Sequence, residues 1–151
     1  MANYYSNLYT EAAADNASYG YSGPLGTKAG EVVAIYGTIT IDGSLASGDI
    51  GYLFPIPAGA KLTKFIPYYG DHGTTVTTDI RCGTTDLKGD LALGTAVALA
   101  SATALTFAEY SLAWAVNASA ASTINLEYET VSAPTSGAVC TFLAEYVMPS
   151  V

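Results

Sequence analysis

An imidazole beside a carboxylate is the smallest unit that does proton chemistry, and this chain holds one such pair, Asp71-His72, inside Gly70-Asp71-His72-Gly73. His72 is the sole histidine, so the pair could supply a general base or two metal ligands, but a triad needs further partners in space. Neither Cys82 nor Cys140 stands in a context that marks a nucleophile, and as a pair they are expected to be small buried hydrophobes rather than a staple. Asp and Gly are ordinary turn residues, so residues 70–73 are expected to form a solvated hairpin tip. Two carboxylate pairs, Asp42 with Asp49 and Asp86 with Asp90, could offer oxygens to Ca²⁺; neither has the spacing of a calcium loop, and turn chemistry accounts for Asp42-Gly43 and Gly89-Asp90. Twelve tyrosines and Trp114 could stack on sugar rings. Tyr52, Tyr68, Tyr110, Trp114 and Tyr128 fall on strand positions expected to face inward, whereas Tyr36, Tyr69 and the tyrosines of the first thirty residues do not. No catalytic residue, metal ligand or cofactor is assigned, and the chain is not expected to be an enzyme; a sandwich-fold hydrolase would need a second acid-base partner near His72 or a carboxylate pair in a cleft.

Those residues must be positioned by strands. From Val33 to Ile41 the odd residues Val33, Ile35, Gly37, Ile39 and Ile41 alternate with Ala34, Tyr36, Thr38 and Thr40, so the odd face is expected inward. Gly48 to Tyr69 reads as two aromatic-rich strands hinged on Pro57-Ala58-Gly59-Ala60. Ile50, Tyr52, Phe54 and Ile56 are expected on one face of the first, and Leu62, Ile66 and Tyr68 inward on the second, with Lys64 snorkelling from that inward face. Thr74 to Cys82 sets Val76, Ile80 and Cys82 against Thr75, Thr77, Asp79 and Arg81. Tyr110, Leu112, Trp114 and Val116 read as one face of a later strand, and Ile124, Leu126 and Tyr128 as the inward face of another. Ala138 to Val147 is apolar on both faces except at Glu145, which suits a central or doubly covered strand. Leu91 to Ala108 is expected to be a loop with at most one helical turn. Turn signals at Asp42-Gly43, Asp71-His72-Gly73 and Lys88-Gly89-Asp90 separate seven or eight strands, so the fold expected is all-β: an antiparallel β-sandwich, jelly-roll-like, over residues 31–151.

Composition narrows the partners. Thirteen acidic against five basic residues give a net charge of −8, which repels a phosphate backbone and disfavours anionic lipid. Neither direct nucleic-acid binding nor a membrane is expected, and no run reaches the ~18 apolar residues of a spanning helix. The first residues lack the basic and apolar regions of a secretory signal, so the glycosylation patterns at Asn16 and Asn117 are expected to be chance matches. Residues 1–30 spread Tyr4, Tyr5, Tyr9, Tyr19 and Tyr21 among Asn, Ala, Ser and Gly without sustained periodicity, and are expected to form an extended N-terminal arm. Its ordering entropy exceeds what five tyrosines return on burial, so it needs backbone pairing with another surface, such as strand addition to a neighbour's edge.

Ser47-Gly48-Asp49-Ile50, Pro57-Ala58-Gly59-Ala60 and the hydroxyl-rich run Thr74 to Gly83, in that order, resemble the small cement or decoration proteins of tailed-bacteriophage heads, over roughly Ile41 to Tyr146. The resemblance implies a viral structural protein on the capsid exterior of the virion, often a homotrimer at threefold or quasi-threefold positions, whose partner is the major capsid protein. The Tyr-rich arm and the Ala-rich loop depart from that family, and in this chain the arm tyrosines are the expected capsid or subunit contacts. A receptor- or glycan-binding module of a phage fibre or tail would share the same fold.

Overall fold

Alternating β-branched residues pack one face of a pleated strand, and nearly every element of the chain follows that rule. The computed structural model describes residues 2–7, 32–93 and 105–148. Among these the strands are β1 (Asn3–Tyr5), β2 (Val32–Thr40), β3 (Ile50–Ile56), β4 (Lys61–Tyr69), β5 (Gly73–Cys82), β6 (Thr85–Ala92), β7 (Ser122–Pro134) and β8 (Val139–Val147). A helix, α1, spans Phe107–Val116 between β6 and β7. They form a five-stranded sheet in the order β1-β3-β7-β5-β6 and a three-stranded sheet in the order β2-β8-β4. All pairings are antiparallel except β1 with β3. The all-β sandwich expected from the alternation is therefore what the chain forms.

The core lies between the two sheets. Phe54 from β3 stacks on Phe142 from β8 at 5.6 Å between centroids, and Phe65 from β4 stands 6.2 and 6.4 Å from these two rings. Around them Ile35 and Ile39 of β2 with Ile41 just beyond it, Val76, Ile80 and Cys82, and Ile124, Leu126 and Tyr128 are buried, as their alternation requires.

Two bulges overturn the faces expected at the hinge. The β3 ladder shifts between Tyr52 and Phe54, so Leu53 and Phe54 are both fully buried, while Ile50 and Tyr52 fall half-buried on the opposite face. The β4 ladder shifts between Leu62 and Lys64, after which Phe65, Pro67 and Tyr69 point inward. Ile66 and Tyr68 thus face outward, Tyr69 is buried rather than exposed, and Lys64 pairs with Glu145 at 3.8 Å on the outer face without snorkelling. A one-residue insertion in a period-2 element exchanges inside for outside. The hinge itself forms as expected: the Ala60 N–H donates to the Pro57 carbonyl, with Gly59 at φ 76° where a Cβ would be strained. The signal at Lys88-Gly89-Asp90 marks no turn; those residues lie inside β6 at a register shift, with Asp90 at φ 58° and its N–H held by Asp79 Oδ1 at 2.8 Å.

The largest departure is the expected strand through Tyr110, Leu112, Trp114 and Val116, which is helical. Thr106 and Glu109 form a reciprocal capping box that starts α1, an S/T-x-x-E signal outweighed in the sequence by the period-2 aromatic spacing. The stretch 91–108 accordingly contains the end of β6 and the start of α1, and residues 94–104 lie outside those described. The helix lies beside the edge of β4, where side chains replace a ladder: the Trp114 indole N–H donates to the Leu62 carbonyl at 2.7 Å, and the Phe65 N–H donates to the Tyr110 hydroxyl at 2.9 Å. Asn117 follows, fully buried, donating from Nδ2 to the Pro57 and Ala60 carbonyls while its own carbonyl accepts from Gly59.

Replacing Asn117 with Ala removes the Nδ2 donor from both carbonyls, leaving Pro57 with the Ala60 N–H alone, and we expect a loss of about 1–3 kcal/mol in urea unfolding. Gly37 lies beneath Phe142, whose Cζ would be 2.6 Å from a new Cβ, so Gly37→Ala should cost about 1–3 kcal/mol in the same measurement. A neutral result at residue 37 would mean that the ring is free to move.

Candidate interaction surface

Of the tyrosines expected as contacts, Tyr4 and Tyr5 lie in β1, and Tyr9, Tyr19 and Tyr21 lie outside the described residues. The sheet edge that β1 pairs with belongs to this chain's own β3. Asp49 of the Ser47-Gly48-Asp49-Ile50 motif secures it: Oδ1 accepts from the Ala2 N–H at 2.7 Å and Oδ2 from the Ala46 N–H at 2.8 Å. The Tyr4 hydroxyl reaches Asp42, Tyr5 stacks on Tyr52 at 5.2 Å, and the Ser6 hydroxyl donates to the carbonyl of Leu53, the extra residue of the β3 bulge. Asn7 continues across to the other sheet, where its Oδ1 accepts the Thr38 N–H on β2, an edge strand among the described residues. Asp42 and Asp49 therefore serve backbone and hydroxyl donors, and Ser44 in particular holds the Asp42 carboxyl below its usual range.

His72 does not sit at a solvated tip. It is fully buried between Tyr69 and Tyr128, with Nδ1 2.7 Å from the Gly70 carbonyl and ring centroids about 6 Å from both tyrosines. Asp71 turns away to accept the Gly73 N–H, so the expected imidazole-carboxylate pair is not assembled for proton transfer. Burial raises the hydroxyls of Tyr69 and Tyr128, and pushes the Cys140 thiol up to about 12; Cys82 is raised for the same reason. Both cysteines are free, on strands of opposite sheets, and their thiols stay protonated at neutral pH. Asn117 is enclosed by its hydrogen bonds and cannot accept a glycan in the folded chain.

The two outer faces of the sandwich differ in charge. On the five-stranded sheet Asp79 lies at the meeting of two carboxylate groups, with Asp90 and Glu129 on one side and Asp86 and Glu127 on the other. The expected pair Asp86 and Asp90 is thus divided between them. Arg81 crosses the second group, reaching Asp86 at 3.0 Å and Glu127 at 2.6 Å. Glu129 is raised above its usual range chiefly by the charge of Asp79, which is what a carboxylate crowded by like charges does.

The outer face of the three-stranded sheet is apolar. Register places Tyr36, Leu143 and Ile66 in one row across β2, β8 and β4, and Thr38, Thr141 and Tyr68 in the next. Tyr36 is 66% exposed, Tyr68 43% and Leu143 37%, and a groove of about 240 Å³ runs between them. The strand β8 is central, as its composition suggests, yet within the described residues it is covered on one face only. The exposure of Tyr36 follows from β2 alternation alone; Ile66 and Tyr68 reach this face only through the β4 bulge.

Burial also holds the His72 imidazole below its ordinary value of about 6.5, outweighing the carbonyl of Gly70. The unfolded chain takes up a proton there that the folded chain resists. Stability should be unaffected by this group above neutral pH, fall as pH drops through about 6.5, and level off below the folded value, by about 1.4 kcal/mol per unit of depression. Urea midpoints at pH 7.5 and pH 5 for the native chain and His72→Gln check this, and an equal acid loss in both would refute it.

Neither a protein-family model nor a curated protein matches the sequence. The fold is shared with a chain from the capsid of Ralstonia phage GP4, at a TM-score of 0.60 and 20% identity over 85% of this chain and 91% of that one. A chain of the cyanophage Pam1 capsid asymmetric unit aligns over 91% of this chain and 99% of that one, at 14% identity and a TM-score of 0.49. The two-sheet sandwich of this chain is therefore a fold that a phage capsid contains.

Proposed function

We propose that this chain is a structural protein of a phage particle: a cement or decoration protein on the capsid exterior that bridges neighbouring major capsid subunits, acting as a homotrimer and not as an enzyme. The observation that carries this reading is the likeness to the GP4 capsid chain, which extends over nearly the whole of both chains and so concerns the complete sandwich rather than one motif. The interior supports it too, since the sole imidazole and both thiols are enclosed as core groups. The strand order β2-β8-β4, with α1 beside β4, against β3-β7-β5-β6 supports a jelly-roll reading in which α1 stands in the place of an eighth barrel strand.

In this reading residues 31–151 are the sandwich domain and residues 1–30 the arm. Residues 3–5 of that arm pair with the sandwich itself, so attachment to capsid subunits is assigned to Tyr9, Tyr19 and Tyr21 beyond β1. Non-covalent stapling of this kind opposes the pressure of packaged genome by adding contact area across subunit boundaries. With a net charge of −8 the chain is kept from nucleic acid and lipid surfaces, and among the described residues no helix is long and apolar enough to cross a membrane.

Full-length chain added to purified capsid shells that lack it should bind saturably and raise the temperature at which the shells rupture. Changing Tyr9, Tyr19 and Tyr21 together to Ser should weaken occupancy at least about tenfold, equivalent to ~1.4 kcal/mol, with the fold intact. Absence of binding by the native chain sinks the cement reading; unchanged occupancy by the triple variant sinks the arm's role. Binding of the isolated chain to a glycan array would favour the fibre-module alternative.

A further inference from the structure

We propose that the apolar outer face of the β2-β8-β4 sheet is the surface through which copies of this chain associate. This deepens one part of the functional reading, self-association, by naming its surface. Its deciding readout is the mass of the chain in solution without shells, so its outcome is separate from whether the chain decorates a capsid.

Charge selects this face. The chain carries a net −8, and the opposite face concentrates Asp79, Asp86, Asp90, Glu127 and Glu129. Two copies meeting through that acidic face would bring like charges together, which costs several kcal/mol. On the apolar face, Lys64 and Glu145 neutralise one another at 3.8 Å, and the central rows hold Tyr36, Leu143 and Ile66, then Thr38, Thr141 and Tyr68.

Area and shape point the same way. Taking about 200 Å² for a tyrosine and about 100 Å² for Val or Leu, the exposed parts of Val32, Tyr36, Tyr68, Val139 and Leu143 sum to roughly 350 Å². A standard interface buries about 800 Å² per partner, of which about 450 Å² is non-polar, so this face supplies most of the apolar share. A ring of copies closes when a projection on one chain enters a recess on the next. Here Tyr36 projects, and the groove of about 240 Å³ beside it holds the volume of roughly one aromatic side chain. The hydroxyls of Tyr36, Tyr68 and Thr141 are the polar groups of the lining side chains, fewer than a sugar site needs to orient its ligand, which favours a protein occupant.

The experiment is light-scattering mass of the full chain, without shells, up to about 100 µM, a range that detects dissociation constants of ordinary oligomers. Native protein should have a mass of more than one chain. Tyr36→Glu and Leu143→Glu, both outside the core, should each weaken association at least about tenfold while keeping the native circular dichroism spectrum and melting temperature. Thr75→Glu, on the exposed part of the other sheet, should leave the mass unchanged and so controls for added charge. A native monomer throughout this range overturns the proposal. If the monomer's Tyr36→Glu variant loses shell binding, the face belongs to a shell subunit; if that variant instead melts early, the face is covered by the chain's own residues 8–31. An oligomer undisturbed by both face variants overturns it as well.

Discussion

Three phenylalanine rings from three strands hold the two sheets together, and most local peculiarities of the chain serve that contact. Phe54 comes from the five-stranded sheet, Phe65 and Phe142 from the three-stranded one. For Phe54 and Phe65 to meet, each hinge strand must change face partway along, and each does so at a bulge. For Phe142 to lie flat over β2 its cross-strand partner must lack a Cβ, which is why residue 37 is glycine. Burying three such rings returns several kcal/mol, enough to outweigh the unpaired backbone groups that bulges create, provided those groups find other partners.

The partners come from elements at the sheet edges. Trp114 and Tyr110 of α1 complete the Leu62 and Phe65 backbone groups on β4, Asn117 completes the hinge, and Asn7 completes Thr38 on β2. Ser6 completes the carbonyl of bulged Leu53. Edges closed in this way cannot recruit a further strand at those positions. The two faces then divide by chemistry, carboxylates on one and tyrosine, leucine and isoleucine on the other. Like charges gathered on one face disfavour contact between two such faces.

Much of this was legible in residue order. The inward sets Ile35-Ile39-Ile41, Val76-Ile80-Cys82 and Ile124-Leu126-Tyr128 follow from alternation, and Gly59 announces its turn because φ there must be positive. What was not legible were the points at which a period slips. Leu53 and Thr63 look like any strand residue, yet each is the extra member of its ladder, and everything beyond it changes side. The burial of His72 is not legible for a related reason: Asp and Gly beside it are turn formers, but whether a turn is exposed depends on what packs above it, here Tyr69 and Tyr128. The capping box at Thr106 and Glu109 was present in the sequence, and the aromatic spacing of Tyr110, Leu112 and Trp114 disguised it.

By itself, then, the sequence determined the class of the fold, the identity of most core residues and the sign of the charge, because alternation, turn chemistry and ionisation are local properties of residue types. Only the tertiary structure decided that Tyr68 reaches the surface and Tyr69 does not, where the carboxylates gather and that a helix closes the edge of β4. Those outcomes depend on register, and register is set by strands distant in the chain: a single inserted residue, compensated by a hydrogen bond from far away, exchanges interior for exterior.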